Sequence, residues 1–308
     1  MRRKPSAPGL VLLVLVWALP AGSFALSIGN PYKMGSLLVF PLVDGSEGSD
    51  TEITITNGSY VGVNVACMFR NDSDETAGTA FFLDSHETVW FSAQTGEGSV
   101  AAPLSPGEKG EMKCWAVNES MDAQISWNYL QGFAQIMDSK GRSWGYSSWN
   151  FAADQPRGAL AGQPGIIKLS GLPGEYDAMP RYLSFNIPTG ATQTKIVLVL
   201  GKQDFRQDRE NLYSKAKFTY TRNGSSSQQC IKNWVQTTLP KSAVGGAKVQ
   251  GIASTVCDTQ FRKPFGTTQN SPVLGVLEVQ RKQAVFGVMP VGFGSDGSGY
   301  ILWDADNF

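Results

Sequence analysis

The chain has 308 residues, of which 17% are charged, with 26 basic and 26 acidic side chains and a single histidine. This balance argues against a nucleic acid or an anionic membrane surface as the main partner, because both select clustered positive charge. One histidine and no closely spaced cysteine pair argue equally against a zinc centre.

The first 25 residues have the order of a secretory signal peptide. Residues 2–4 are basic, residues 9–19 form an apolar run, and Ser23 and Ala25 place small side chains at the two positions that a signal peptidase reads. The run is shorter than the roughly 20 apolar residues of a membrane-spanning helix. We therefore predict cleavage after Ala25 and a mature chain that is secreted, periplasmic or extracellular, with no transmembrane anchor.

The segments that follow have the patterns of β-strands. Residues 51–57 (TEITITN) alternate strictly, and residues 61–69 (VGVNVACMF) place their large apolar side chains on one face. Turn-rich clusters of Gly, Asn, Asp and Ser separate further strand candidates at 36–40, 79–83, 87–93, 111–117, 123–130 and 132–138. Regular short strands with such turns predict a sandwich or a barrel.

A second region of the same style follows a break in the pattern. Residues 153–165 are rich in Gly, Pro and Ala and have no period, which predicts a linker. Strand-like segments then recur at 165–171, 181–187, 195–201, 215–222, 273–279 and 284–289. We therefore predict an all-β chain of two β-sandwich domains in tandem, residues 26–152 and 166–308.

The four cysteines are interpreted as disulfide partners. Cys67 and Cys114 lie on the apolar faces of two predicted strands of an exported chain, which favours a bond between those strands. Cys230 and Cys257 lie in the second half. Four cysteines can pair in several ways, and we predict 67–114 and 230–257 because that pairing does not tie the two domains together.

Three other motifs match functional patterns only superficially. Residues 292–297 (GFGSDG) have the letters of a dinucleotide-binding loop, but a predicted strand follows where a helix is needed. No serine elbow accompanies His86, so we interpret it as a surface histidine. The acidic clusters Asp44/Glu47/Asp50 and Asp72/Asp74/Glu75 lack the spacing of a calcium loop and are interpreted as solvated turns.

Residues 142–151 (RSWGYSSWNF) leave two interpretations open. If Trp144, Tyr146 and Trp149 are exposed, their rings could stack on sugars or on a partner. If they are buried, they form the last strand of the first sandwich and its contact with the second. Aromatic side chains are mostly interior or interfacial, which favours burial.

Several segments together resemble a group of bacterial exported proteins without an assigned function. They are GSLLVFP (35–41), TEITITN (51–57), VNVACMF (63–69), FFLDSHETVWFSA (81–93), GEMKCWAV (110–117), ISWNYLQGFAQIMD (125–138), MPRYLSFNI (179–187) and CIKNWVQTTLP (230–240). The resemblance implies paired immunoglobulin-like β-sandwiches behind a signal peptide. It transfers no catalytic residue and no cofactor.

We therefore expect a non-enzymatic binding or structural protein of the bacterial envelope or extracellular space. No catalytic, metal-binding or cofactor-binding residue is predicted, and the partner is an unknown protein or polysaccharide of the envelope. Two alternatives stay open: a carbohydrate-binding protein that uses Trp144, Tyr146 and Trp149, and a hydrolase whose carboxylate pair the sequence does not single out.

Overall fold

A computed structural model of the chain describes residues 27–308 with several gaps. The gaps are residues 72, 74, 99, 103, 181, 188–189, 206–215, 223–224, 232–233, 239–248, 255–272, 283 and 294–298. The predicted signal peptide therefore lies outside the described residues, as do Asp72, Asp74 and Cys257.

Strands β1 to β9 form two antiparallel sheets in the first half. They are β1 (Leu37–Asp44), β2 (Asp50–Asn57), β3 (Val63–Asn71), β4 (Thr76–Leu83), β5 (Thr88–Ser92), β6 (Lys109–Val117), β7 (Leu130–Met137), β8 (Ser143–Ser147) and β9 (Trp149–Phe151). One sheet has the order β4-β3-β6-β1-β9 and is called the middle sheet below; the other, β5-β2-β7-β8, is called the outer sheet.

Strands β10 to β21 form three further sheets in the second half. They are β10 (Ile166–Leu169), β11 (Tyr182–Ile187), β12 (Gln193–Leu200), β13 (Lys202–Asp204), β14 (Ala216–Arg222), β15 (Ser225–Ile231), β16 (Trp234–Thr238), β17 (Val249–Ser254), β18 (Val273–Arg281), β19 (Ala284–Val288), β20 (Val291–Phe293) and β21 (Gly299–Leu302). Their orders are β10-β21-β13, β15-β14-β17-β11-β20 and β16-β12-β18-β19. A short 3-10 helix, Ala305–Asn307, follows.

The middle sheet lies between the outer sheet and the second half. Strand β1 contacts β2 and β7 on one side and β12 and β18 on the other. All its residues are buried, and its sequence LLVFPLVD is correspondingly apolar almost throughout. A strand covered on both faces needs apolar side chains at successive positions, whereas a half-covered strand needs them only at alternate ones.

The two halves share one continuous apolar core. Trp149 in β9 donates its indole N–H to the carbonyl of Gly275 in β18, with 3.0 Å between the atoms. Trp303 donates likewise to the side-chain oxygen of Gln124 at 3.2 Å. These bonds satisfy indole donors that would otherwise be buried without a partner, so they fix how the second half sits on the first.

The predicted linker is fastened to the first half. The side-chain amide nitrogen of Gln124 lies 2.6–2.9 Å from the carbonyl oxygens of Ala161, Gln163 and Ile166, which share its two N–H groups. The hydroxyl of Ser126 donates to the carbonyl of Gln155 at 2.8 Å. A segment without apolar periodicity is thus held by its backbone carbonyls. The domain boundaries at 152 and 166 stay a prediction.

The structure joins Cys67 and Cys114 by a disulfide, with an S–S distance of 2.06 Å. The two residues stand directly opposite each other in the ladder between β3 and β6, so the bond lies within the middle sheet. Immunoglobulin domains place their disulfide between two sheets. The prediction of an all-β chain is confirmed, while the immunoglobulin-like topology receives no support from this bond. The predicted Cys230–Cys257 bond lies outside the described residues.

Candidate functional site

The outward surface of the outer sheet is the candidate site, and it is called the outer face below. Its side chains come from alternate positions of four strands whose other positions fill the core. They are Thr88, Trp90 and Ser92 on β5, Asp50, Glu52, Thr54 and Thr56 on β2, Gln131, Phe133, Gln135 and Met137 on β7, and Ser143, Gly145 and Ser147 on β8.

Two exposed aromatic rings flank a threonine at the centre of the outer face. Thr54 pairs with Trp90 on one side and with Phe133 on the other. Trp90 is 51% exposed and Phe133 is 43% exposed. Because neighbouring strands lie about 4.8 Å apart, the backbones that bear the two rings are about 10 Å apart. Trp90, Thr54 and Phe133 are called the central row below.

The Phe133 ring lies across the neighbouring strand β8. A Cβ atom at position 145 would collide with the Cζ and Cε1 atoms of Phe133, so the ring fills the space that a side chain at Gly145 would take. Gly145 is diagonal to Phe133 in the ladder, where long side chains reach each other. One side of the ring thus rests on the sheet while the residue keeps large exposure to solvent.

An open groove of about 560 Å³ adjoins the outer face beyond β8. It is lined by residues 142–145 from the β8 side and residues 284–287 from the β19 side. Gly287 lets the two edges approach, because a side chain there would meet the carbonyl of Gly145 and the ring of Trp144. Phe286 lines the groove and is exposed. Gly145 belongs to both surfaces, which makes the outer face and the groove continuous.

The outer face and the groove have little free charge. Thr56 and Thr88 share a hydroxyl hydrogen bond of 2.9 Å, and Ser92 donates to Asp50 at 2.7 Å. At the groove, the Arg142 guanidinium forms an ion pair of 2.6 Å with Asp138. Glu52 is the carboxylate that lies within the rows beside the central row.

A second cluster of polar groups lies on the middle sheet, where it is buried. The Lys113 ammonium contacts the Glu111 carboxylate at 2.5 Å. Arg70 stands opposite Glu111 in the ladder, and its guanidinium lies 4.4 Å from the centre of the Phe205 ring. Burial lowers the pKa of Lys113 to about 8, against the raising effect of Glu111, and the charge of Arg70 adds to the lowering. Because solvent reaches none of the three side chains appreciably, this cluster joins the halves rather than facing a ligand.

Trp144, Tyr146 and Trp149 lie inside the protein. Their exposed fractions are 7%, 3% and 1%. The Tyr146 hydroxyl donates to the carbonyl of Leu42, and burial raises the pKa of this tyrosine far above its ordinary value. Alternation along β8 turns Trp144 and Tyr146 inward, so the interpretation that these rings stack on a ligand is corrected. Trp144 keeps one edge at the groove.

The predicted surface histidine and the described residues of the acidic clusters and the glycine-rich motif lie in strands and the turns between them. His86 is an exposed turn residue with φ of 55° whose ring meets Tyr60 edge-on, 4.5 Å between centres. The Asp44 carboxylate pairs with Lys109 at 2.9 Å, and the Glu75 carboxylate accepts from the Asn71 amide at 2.7 Å. Gly292 lies in β20, and the rest of the glycine-rich motif beyond Phe293 lies outside the described residues.

Sequence reasoning missed Trp90 and Phe133, although the signal for each was present. In ETVWFSA (87–93) and QGFAQIM (131–137), alternation places Trp90 and Phe133 opposite the small or apolar residues that enter the core. What the sequence does not reveal is the register that places both rings beside Thr54.

Among the described residues, no helix is long and apolar enough to cross a membrane. No known family model matches the chain. No curated protein was found to match it either. Among solved structures, the chain is similar to PNGase F, a glycosylasparaginase from Flavobacterium meningosepticum, at 8% identity over 87% of this chain and 97% of that chain. The TM-score of 0.27 is too low for the likeness to bear on fold or function.

Proposed function

We propose that the protein is an exported, non-enzymatic binding protein of the bacterial envelope or the extracellular space, and that the outer face is its binding surface. The observation that supports this most is that Trp90 and Phe133 are both about half exposed in one row of the sheet, on either side of Thr54. Large aromatic side chains dominate the energetics of interfaces, so two exposed rings in one row of a rigid sheet favour a partner on this face.

The rigidity of the outer sheet favours the same proposal. Each strand of the central row is held by ladder hydrogen bonds, and the inward side chains Ile53, Phe91 and Ala134 are fully buried. Side chains on such a frame lose little conformational entropy on binding, since their backbone is already fixed. The disulfide between Cys67 and Cys114 is typical of proteins in oxidising compartments outside the cytoplasm, which favours export.

Co-sedimentation with fractions of the source cells tests the proposal. Purified mature protein is mixed with envelope and culture-medium fractions, and bound components are identified after crosslinking. We expect one component to be enriched by the wild type and lost with Trp90→Ala/Phe133→Ala.

Phe82→Ala is the matched control. Phe82 is 55% exposed and covers Gly62 much as Phe133 covers Gly145, but it lies on β4 of the middle sheet. Equal enrichment by the wild type and the double variant, or no enrichment from any fraction, would overturn the proposal.

A further inference from the structure

We propose that the outer face binds a neutral polysaccharide, which crosses the strands along the central row and enters the groove between β8 and β19. This inference rests on the proposed function and names the chemical class of its ligand. It differs from the carbohydrate interpretation of the sequence in its residues: the contacts are Trp90, Phe133 and Phe286, and not the buried Tyr146 and Trp149.

The exposed rings of the outer face form a surface on which sugars can stack. A sugar ring has apolar C–H faces and a rim of hydroxyl groups, so it needs a flat apolar surface next to hydrogen-bonding side chains. Sites of this kind combine aromatic side chains with a few placed polar groups. Trp90 and Phe133 offer two such rings whose strands are about 10 Å apart. Because this separation exceeds the width of one sugar ring, only a chain of several units can contact both rings.

Rows of polar side chains lie on either side of the central row. Thr88, Thr56 and Gln131 form one row. Ser92, Glu52 and Gln135 form the other. The threonine and glutamine side chains can donate to and accept from sugar hydroxyls, and the Glu52 carboxylate can accept. The Ser92 hydroxyl already donates to Asp50 and accepts from the backbone N–H groups of Gln94 and Thr95. The rings therefore lie between two lines of hydrogen-bonding groups that follow the direction across the strands.

The charge of the outer face distinguishes between neutral and anionic polymers. The two polar rows contain no lysine or arginine, and Glu52 contributes a negative charge. An anionic polysaccharide or a nucleic acid would find no cation in these rows, and in the groove the Arg142 guanidinium is already paired with Asp138. A protein partner needs a more continuous apolar core than this face offers, because polar positions separate Trp90, Phe133 and the exposed Met137. A neutral polysaccharide fits both the charge and the pattern.

The outer face is continuous with the groove. Gly145 underlies the Phe133 ring and also lines the groove, whose far wall includes the exposed Phe286. A chain that leaves the Phe133 ring over β8 would meet a concave surface with a further aromatic side chain. This arrangement suits an extended polymer that is longer than the central row.

Affinity electrophoresis of the full mature protein tests the inference. Gels would contain dextran, laminarin or hydroxyethyl-cellulose as neutral polysaccharides, and alginate or heparin as anionic ones. We expect at least one neutral polysaccharide to retard the wild type and the Phe82→Ala control. Trp90→Ala and Phe133→Ala should each weaken the retardation about tenfold, as the loss of one stacked ring predicts.

Phe133→Leu distinguishes stacking from general apolar contact, because leucine keeps a branched apolar side chain at this position but has no flat ring. We expect it to bind about as weakly as Phe133→Ala, with an unchanged melting temperature. Wild-type binding by Phe133→Leu would overturn the stacking argument. If only anionic polymers retard the protein, or none of the neutral ones does, the ligand class is wrong. The proposed function would still stand if Trp90→Ala/Phe133→Ala abolished co-sedimentation with the cell fractions. The partner of the outer face would then belong to another chemical class.

Discussion

The two sheets of the first half bury their strands in opposite ways. The outer sheet covers one face and leaves the other to water, so β2 and β7 alternate between core and surface. The middle sheet is covered on both faces, and β1, β6 and β9 are buried along almost their whole length. Aromatic residues in the central strands of the middle sheet are therefore buried, with Phe82 exposed at the β4 edge, whereas Trp90 at the β5 edge and Phe133 on the inner strand β7 of the outer sheet remain about half exposed.

Charged residues show the same contrast. On the middle sheet, Glu111 and Lys113 are buried together beneath the second half. On the outer face, Glu52 is partly exposed to water. A charge that is removed from water must be paired to be tolerated, and a charge at the surface need not be. The middle sheet thus links the halves, and the outer face stays open to solvent.

The largest expected effect is the loss of a tryptophan from the middle sheet. Trp149→Ala removes a fully buried indole and leaves the carbonyl of Gly275 without its donor. We expect the free energy of unfolding to fall by about 3–5 kcal/mol, the cost usual for such truncations. Chemical denaturation measures it, and a loss below about 1 kcal/mol, as at a surface site, would contradict the buried position.

Removal of the disulfide should have a similar but smaller effect. Cys67 and Cys114 are 47 residues apart in sequence, and in the chain-entropy description such a link stabilises the fold by about 4 kcal/mol at most. Cys67→Ala/Cys114→Ala should therefore lower the denaturation midpoint while the melting transition stays cooperative. Intact mass after alkylation without reduction is the accompanying check, since labelling at both cysteines of the wild type would contradict the bond.

The buried lysine predicts a dependence of stability on alkaline pH. The pKa of Lys113 is about 8 in the folded protein and 10.5 as an ordinary lysine, so the unfolded chain holds more protons between these values. The free energy of unfolding should rise by about 3 kcal/mol from this group as the pH increases from 8 to 10.5. Below pH 8 the destabilising effect is fully present.

The control for this prediction is Glu111→Gln/Lys113→Met, in which neither side chain of the pair titrates. Denaturant unfolding of both proteins across this pH range isolates the contribution, because the other lysines and tyrosines are common to both. Parallel curves would contradict a lowered pKa for Lys113.

The smallest expected effect on stability comes from the outer face. Trp90→Ala removes the same side chain as Trp149→Ala, yet its ring is half exposed. We expect the free energy of unfolding to change by no more than about 0.5 kcal/mol, as for surface substitutions in general. A loss comparable to that of Trp149→Ala would mean that Trp90 is a core residue and would remove it from the candidate site.

Much of the local structure could be predicted from the sequence because alternation is a local signal. TEITITN forms β2 with its isoleucines inward, and Cys67 and Cys114 face each other from strands that the pattern identifies. The relation between sheets could not be predicted in the same way. That Trp144 and Tyr146 point inward follows from β8 alone, but the burial of Trp149 depends on Gly275, which is 126 residues away.

The candidate site could not be predicted from the sequence because it, too, depends on contacts between distant segments. Trp90 and Phe133 belong to strands that are distant in sequence, and only the register of β2 with both neighbours brings them to one row. Register depends on which faces the rest of the chain covers. The sequence instead draws attention to Trp144, Tyr146 and Trp149, which are close together in the chain. They belong to the consecutive strands β8 and β9, and all three side chains enter the core.

Hydroxyl-radical footprinting of the wild-type protein, alone and bound to the fraction with which it co-sediments, tests the central claim most directly. Mass spectrometry would compare oxidation at Trp90, Phe133 and Phe82, which are exposed to similar extents. We expect binding to protect Trp90 and Phe133 from oxidation and to leave the oxidation of Phe82 unchanged. Protection of Phe82 alone, or binding without any change at Trp90 and Phe133, would contradict the assignment of the outer face as the binding surface.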